Sequence, residues 1–111
     1  MKYLVSQEEF EILLGKLPSD KPLPNTTVIL FSAKWCGPCA RINKEELSQV
    51  LPNFMVCDID MNDYTAGYCG IRKIPTFLVV HKTKILETFT LFRTEEIVKK
   101  VKDLISYDSN L

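Results

Sequence analysis

Cys36 and Cys39 are separated by Gly37-Pro38, so at the start of a helix their sulfurs lie one turn apart and can make and break a small-loop disulfide. The pair follows an apolar run, Val28-Ile29-Leu30-Phe31, that reads as a buried strand, and it opens a helix-compatible stretch. A thiol at such a junction lies beside unpaired backbone N–H groups and the positive end of the helix dipole, both of which favour thiolate over thiol. Cys36 is therefore the expected nucleophile. Cys39, one turn into the helix, is the expected resolving thiol, held protonated until it attacks a mixed disulfide.

The elements that must position these thiols alternate between strands and helices. Residues 2–5 read as a short strand, and Ser6-Gln7-Glu8-Glu9 as a capping box opening a helix with Phe10, Leu13 and Leu14 on one face and Gly15 at its end. Pro18, Pro22 and Pro24 make residues 16–27 a connecting loop. Strand 28–32 follows, then one helix from Cys36 to about Leu51, a strand at 54–59 and a short helix at 63–68. Residues 77–80 and 85–92 read as a hairpin around Lys82-Thr83-Lys84. The last helix has Thr94 as its expected N-cap and a single apolar stripe of Ile97, Val98, Val101, Leu104 and Ile105. Strands separated by helices need right-handed crossovers and a sheet covered on both faces, so the chain is expected to be α/β: three layers, α/β/α, with a central mixed sheet built as β-α-β-α-β and then α-β-β-α. Reactive residues then sit at the carboxyl ends of the central strands.

Composition sets the outer bounds. The 111 residues are a single-domain length, and an apolar content of 46% suffices for one core without disulfide staples. Fourteen basic residues balance fourteen acidic ones, leaving no electrostatic footprint for nucleic acid or an anionic membrane. No apolar run approaches membrane-spanning length, and the start Met1-Lys2-Tyr3-Leu4-Val5-Ser6 has too short an apolar stretch for an export signal. Four cysteines without such a signal make a reducing compartment, the cytoplasm, the simplest expectation.

Trp35-Cys36-Gly37-Pro38-Cys39, Asp58-Ile59-Asp60 and, further on, Gly70-Ile71-Arg72-Lys73-Ile74-Pro75-Thr76 before an apolar strand together resemble the thioredoxin family over nearly the whole chain, taken as one domain of 111 residues. The resemblance implies a thioredoxin fold and a protein dithiol–disulfide oxidoreductase serving cell redox homeostasis and electron transport. It implies a cis Ile74–Pro75 bond facing the disulfide, with the backbone of Ile74 pairing to an extended substrate and Trp35 and Ile74 forming an apolar rim. Trp35, Gly37, Pro38, Ile74 and Pro75 are accordingly the expected substrate-binding residues. Gly37-Pro38 is the spacer of the reductases in this family, so reduction of protein disulfides is the expected direction, with an external NADPH-dependent flavoprotein reductase or another thiol donor restoring the dithiol. No cofactor is expected on the chain, and it is expected to be a monomer or a weak or redox-linked dimer.

The remaining candidates divide into inert and regulatory. Cys57 sits in an apolar strand and reads as a core thiol. Cys69, just before Gly70, is either an inert surface thiol or a regulatory one able to cross-link two chains. A metal site is disfavoured, because Cys57 and Cys69 are twelve residues apart and on different elements. His81 is expected at the surface near the hairpin turn.

Four positions depart from the family pattern. Leu30, six residues before Cys36, replaces the usual buried aspartate that moves the proton of the second cysteine, and Val56 replaces its lysine partner. Lys44 replaces the proline that kinks the active-site helix, so a straighter helix is expected. Leu91 replaces a small glycine bordering the substrate groove. Two other functions fit these departures: a binding module or clamp subunit using Leu91 and the loop 16–27, and a partner in a disulfide-forming or isomerising pathway.

Overall fold

The computed structural model describes residues 1–110 as five strands in one mixed sheet, β1 (Lys2–Tyr3), β2 (Thr26–Ser32), β3 (Phe54–Asp58), β4 (Thr76–His81) and β5 (Lys84–Phe89), in the order β1-β3-β2-β4-β5. The first three are parallel; β4 runs antiparallel to β2, and β5 turns back antiparallel to β4 as the second arm of a hairpin. Four helices cover the two faces: α1 (Gln7–Leu13), α2 (Lys44–Val50), α3 (Asp63–Tyr68) and α4 (Thr94–Ser109).

Burial explains the sheet order. All seven residues of β2 are buried, as a strand enclosed on both faces and both edges requires. On one face Val28, Leu30, Val56, Phe77 and Val79 pack with Leu47 of α2 and Ile97 and Val101 of α4. On the other Ile29, Phe31, Cys57, Leu78 and Val80 pack with Phe10 of α1 and Ala66 of α3. The stripe expected on α4 is the one buried, with Val98, Leu104 and Ile105 packed at its margin. Ser6 caps α1 as expected, its Oγ accepting the Glu9 amide at 3.1 Å while the Glu9 carboxylate returns to the Val5 amide at 3.3 Å. Gly15 ends that turn at a φ of +73°, the left-handed region where a side chain is strained.

The expected helix from Cys36 to Leu51 is instead two pieces. Pro38–Arg41 form a single 3-10 turn, Ile42 is extended at ψ 129°, and α2 starts only at Lys44. Asn43 causes the restart, its side chain accepting the Glu46 amide at 3.0 Å as a new N-cap, an interaction worth about 1 kcal/mol. The extended step also lets Ile42 turn into the core, where it is 4% exposed. Replacing the family's proline by Lys44 therefore does not straighten the helix; the break is made by the cap.

Four smaller expectations also change. β2 begins at Thr26 rather than Val28, because the two threonines find partners for their hydroxyls: Thr27 Oγ1 accepts from Asn53 Nδ2 at 2.8 Å, and Thr26 Oγ1 lies 2.6 Å from His81 Nδ1. His81 is thus buried at the end of β4, not on the surface. The cap of α4 is Arg93, with Thr94 already helical, and β5 ends at Phe89, three residues short of the expected Phe92.

Candidate active site

Cys36 and Cys39 are joined as a disulfide with Cα atoms 5.3 Å apart, at the junction between the carboxyl end of β2 and the 3-10 turn. They rest on a small apolar cluster with Ala33, Ile59 and Ile74. The local chain is held by the Cys36 amide donating to the Ala33 carbonyl at 3.2 Å and the Ala40 amide donating to the Gly37 carbonyl at 3.1 Å. Pro38 occupies the first position of the turn, where its missing N–H costs nothing.

The two sulfurs are not equivalent. Cys36 is 7% exposed and Cys39 1%. The backbone N–H of Cys39 donates to Cys36 Sγ at 3.2 Å, and a sulfur that accepts such a bond is favoured as thiolate. The negative end of a neighbouring dipole marks the other side: the Ile74 carbonyl oxygen lies 3.9 Å from Cys36 Sγ. The Ile74–Pro75 bond is cis, as the family resemblance implies, and that 3.9 Å approach brings the loop preceding β4 up to the disulfide. Pro75 itself is buried and Ile74 half-buried.

Trp35 is 67% exposed, yet its ring is tethered: Nε1 donates to Asp60 Oδ2 at 2.8 Å. An exposed apolar plate fixed beside a disulfide and a half-buried Ile74 is a suitable rim for a broad range of peptide surfaces. Asp60 escaped notice as a site residue because its contact spans 25 positions in the chain. Leu91 does not project into the groove as a free side chain; it packs against the α4-side core, next to Phe92, whose ring carries the Arg41 guanidinium at 4.5 Å.

The other two cysteines are free and remote from this chemistry in character. Cys57 is fully buried and its thiol is pushed up to about 12, chiefly by burial and then by the neighbouring Cys69 and Asp58. Cys69 caps the end of α3 half-buried, and burial pushes its thiol up to about 11. At neutral pH a thiol with a pKa of about 11 is ionised to roughly one part in ten thousand, so cross-linking through Cys69 proceeds only at the rate that fraction allows. In the reduced native protein, limiting alkylating reagent at neutral pH is expected to label the Cys36–Cys39 pair and to spare Cys57 and Cys69 until the chain is unfolded or the pH is strongly alkaline. Peptide mass mapping reads the sites; labelling of Cys69 at the rate of Cys36 would contradict its burial.

Comparison with known proteins agrees with this geometry. A sequence model of the thioredoxin family matches residues 3–103. Thioredoxin of Bacillus subtilis is 37% identical over 76 residues, covering 64% of this chain and 73% of that protein. Thioredoxin H4-2 of Oryza sativa subsp. japonica is 30% identical over 105 residues, 91% of this chain and 77% of that one. Among solved structures, the reduced thioredoxin preprotein of Schistosoma mansoni superposes with a TM-score of 0.74 at 26% identity, over 92% of this chain and 95% of its own. The oxidised mitochondrial thioredoxin 3 of Saccharomyces cerevisiae gives a TM-score of 0.75 over 93% and 94% of the two chains; at 23% identity it is a likeness of fold.

Proposed function

The chain belongs to the thioredoxin family and is a dithiol–disulfide oxidoreductase acting on protein disulfides, and from that premise we propose how the work is divided and where its electrons come from. Cys36 Sγ attacks a substrate disulfide as thiolate, forming a bond to one substrate sulfur while the other leaves as a thiolate and takes up a proton. Cys39 Sγ then attacks Cys36 Sγ, the mixed disulfide breaks, and the second substrate thiol is released. Two electrons pass to the substrate, and the Cys36–Cys39 disulfide remains. Trp35, Gly37, Pro38 and Ile74 form the surface on which an extended substrate segment lies, with Pro75 buried beside it, the Ile74 backbone pairing with main chain of any sequence. An NADPH-dependent flavoprotein reductase, or another thiol donor, returns the dithiol, and the cytoplasm is the compartment in which this direction is maintained.

The single observation behind this reading is the disulfide itself, with its more accessible sulfur set 3.9 Å from the Ile74 carbonyl of the cis-proline loop. The deciding measurement is the equilibrium reduction potential of the pair against a dithiothreitol or glutathione series. A reductase is expected to lie near thioredoxin's value of about −270 mV, and a value near the roughly −120 mV of a strong oxidant would transfer the protein to disulfide formation.

A further inference from the structure

As the resolving thiol, Cys39 must shed a proton before its sulfur can attack, yet it is 1% exposed. Leu30 and Val56, paired in register across β2 and β3, are apolar and accept nothing. A cleft of about 490 Å³ opens along the β1 edge of the sheet and reaches both cysteines; its ionisable side chains besides them are Tyr3, Lys34, Lys44 and Asp58. Water occupies about 30 Å³ per molecule, so the space admits a connected file of solvent.

Two of these residues are placed to act. Lys44 Nζ donates to the Cys39 carbonyl at 3.2 Å, which fixes a positive charge on the backbone of the resolving residue itself. The break before α2 brings it there. Asp58 ends β3 and is 8% exposed. One of its oxygens accepts the Asp60 amide at 2.9 Å, and the carboxylate joins no ion pair among the described residues. Of the other charges near the pair, Arg41 on the 3-10 turn is engaged over Phe92, Lys34 is exposed, and on the cis-proline loop Arg72 and Lys73 are exposed while the Ile74 carbonyl lies 3.9 Å from Cys36 Sγ.

We infer that Asp58 takes the proton of Cys39 through water in this cleft, and that Lys44 is a positioning charge that holds the thiolate so formed. The inference rests on the assignment of Cys39 as resolving thiol. In the step, the Cys39 S–H bond breaks and its proton passes by water to the Asp58 carboxylate. The Cys39 thiolate bonds to Cys36 Sγ, the Cys36–substrate bond breaks, and the departing substrate thiolate is protonated from the solvent-filled cleft as Asp58 returns to its charged state. A carboxylate in this position removes the need for hydroxide, and an ammonium group beside the sulfur lowers the pH at which thiolate forms.

Stopped-flow reaction of the reduced protein with substoichiometric dithiobis-nitrobenzoate separates the steps, because coloured thiolate appears once when Cys36 attacks and again when Cys39 resolves. Asp58→Asn keeps an oxygen for the Asp60 amide. It is expected to leave the first phase unchanged and to slow the second about tenfold at neutral pH, below the full range for general acid–base catalysis because a water intervenes, with the gap closing in alkali. Lys44→Met is expected to move the midpoint of the second phase upward by about one pH unit, and Lys44→Arg to restore it. A second phase of equal rate in wild type and Asp58→Asn overturns the inference, as does equal slowing of both phases. Should Asp58→Asn fail to fold, an unmoved midpoint in Lys44→Met overturns it instead. Absence of any second phase in the wild type would strike the assignment of Cys39, and the inference with it.

Discussion

Cys39→Ser is expected to accumulate covalent mixed disulfides with partner proteins, while Cys36→Ser forms none and loses turnover by at least about a thousandfold, the scale on which removing a nucleophile acts. The asymmetry follows from access and from hydrogen bonding. An incoming disulfide must line up with the attacking sulfur, and of the two buried cysteines Cys36 is the less enclosed, 7% exposed against 1%. The Cys39 amide at 3.2 Å and the start of the 3-10 turn favour Cys36 as thiolate, so its pKa is expected below the free-thiol value of about 8.5. Serine at position 39 leaves that attack intact and removes the sulfur that would release the partner. Non-reducing gels with mass spectrometry of the trapped species decide the matter. Mixed disulfides trapped on Cys39 in the Cys36→Ser protein would reverse the roles.

The chemistry was legible because its signals are local. A spacing of three between cysteines, a preceding apolar strand and an Ile-Pro pair some thirty-five residues later encode a turn, a helix start and a loop without any knowledge of packing. The periodic stripe of α4 and the fully apolar centre of β2 were equally plain, since burial of a whole face leaves a period in the chain. What escaped depends on contacts between distant residues or on a choice between two local options. Asn43 and Glu46 carry a cap signature in the sequence, but the same stretch also reads as continuous helix; the cap at Asn43 and the burial of Ile42 together decide for a break. His81 looks like a turn residue until Thr26, 55 positions away, offers it a buried partner. Lys44 reads only as the residue standing where the family has a proline, and Asp58 only as part of a motif that closes a strand. Their place beside Cys39 exists only once β3 lies next to β2 and the active-site helix is broken.

Leu30→Asp is expected to lower stability by about 3–5 kcal/mol, the sum of lost core packing and a carboxyl buried without a partner. Leu30 has no exposed surface, and its register neighbours are Val56 on β3 and Phe77 on β4, neither of which can donate a hydrogen bond to it. A typical domain has only about 5–15 kcal/mol in total, so the variant stands near the edge of folding. The deficit also depends on pH in a definite direction. Burial raises the carboxyl's folded pKa above its unfolded value of about 3.9. The neutral form is therefore the one the fold tolerates, and the variant is most stable relative to wild type below that unfolded value. As pH rises through the interval to the raised folded pKa, the deficit grows by about 1.4 kcal/mol per pH unit and then levels off. Adding Val56→Lys places an ammonium opposite the new carboxylate and is expected to recover part of the loss at neutral pH, a gain visible as coupling in a double-mutant cycle. Urea titrations of the four proteins at several pH values measure all of this. A Leu30→Asp protein as stable as wild type across that range would mean that water reaches position 30, and that the core beneath the active site is not sealed as the burial of Leu30 requires.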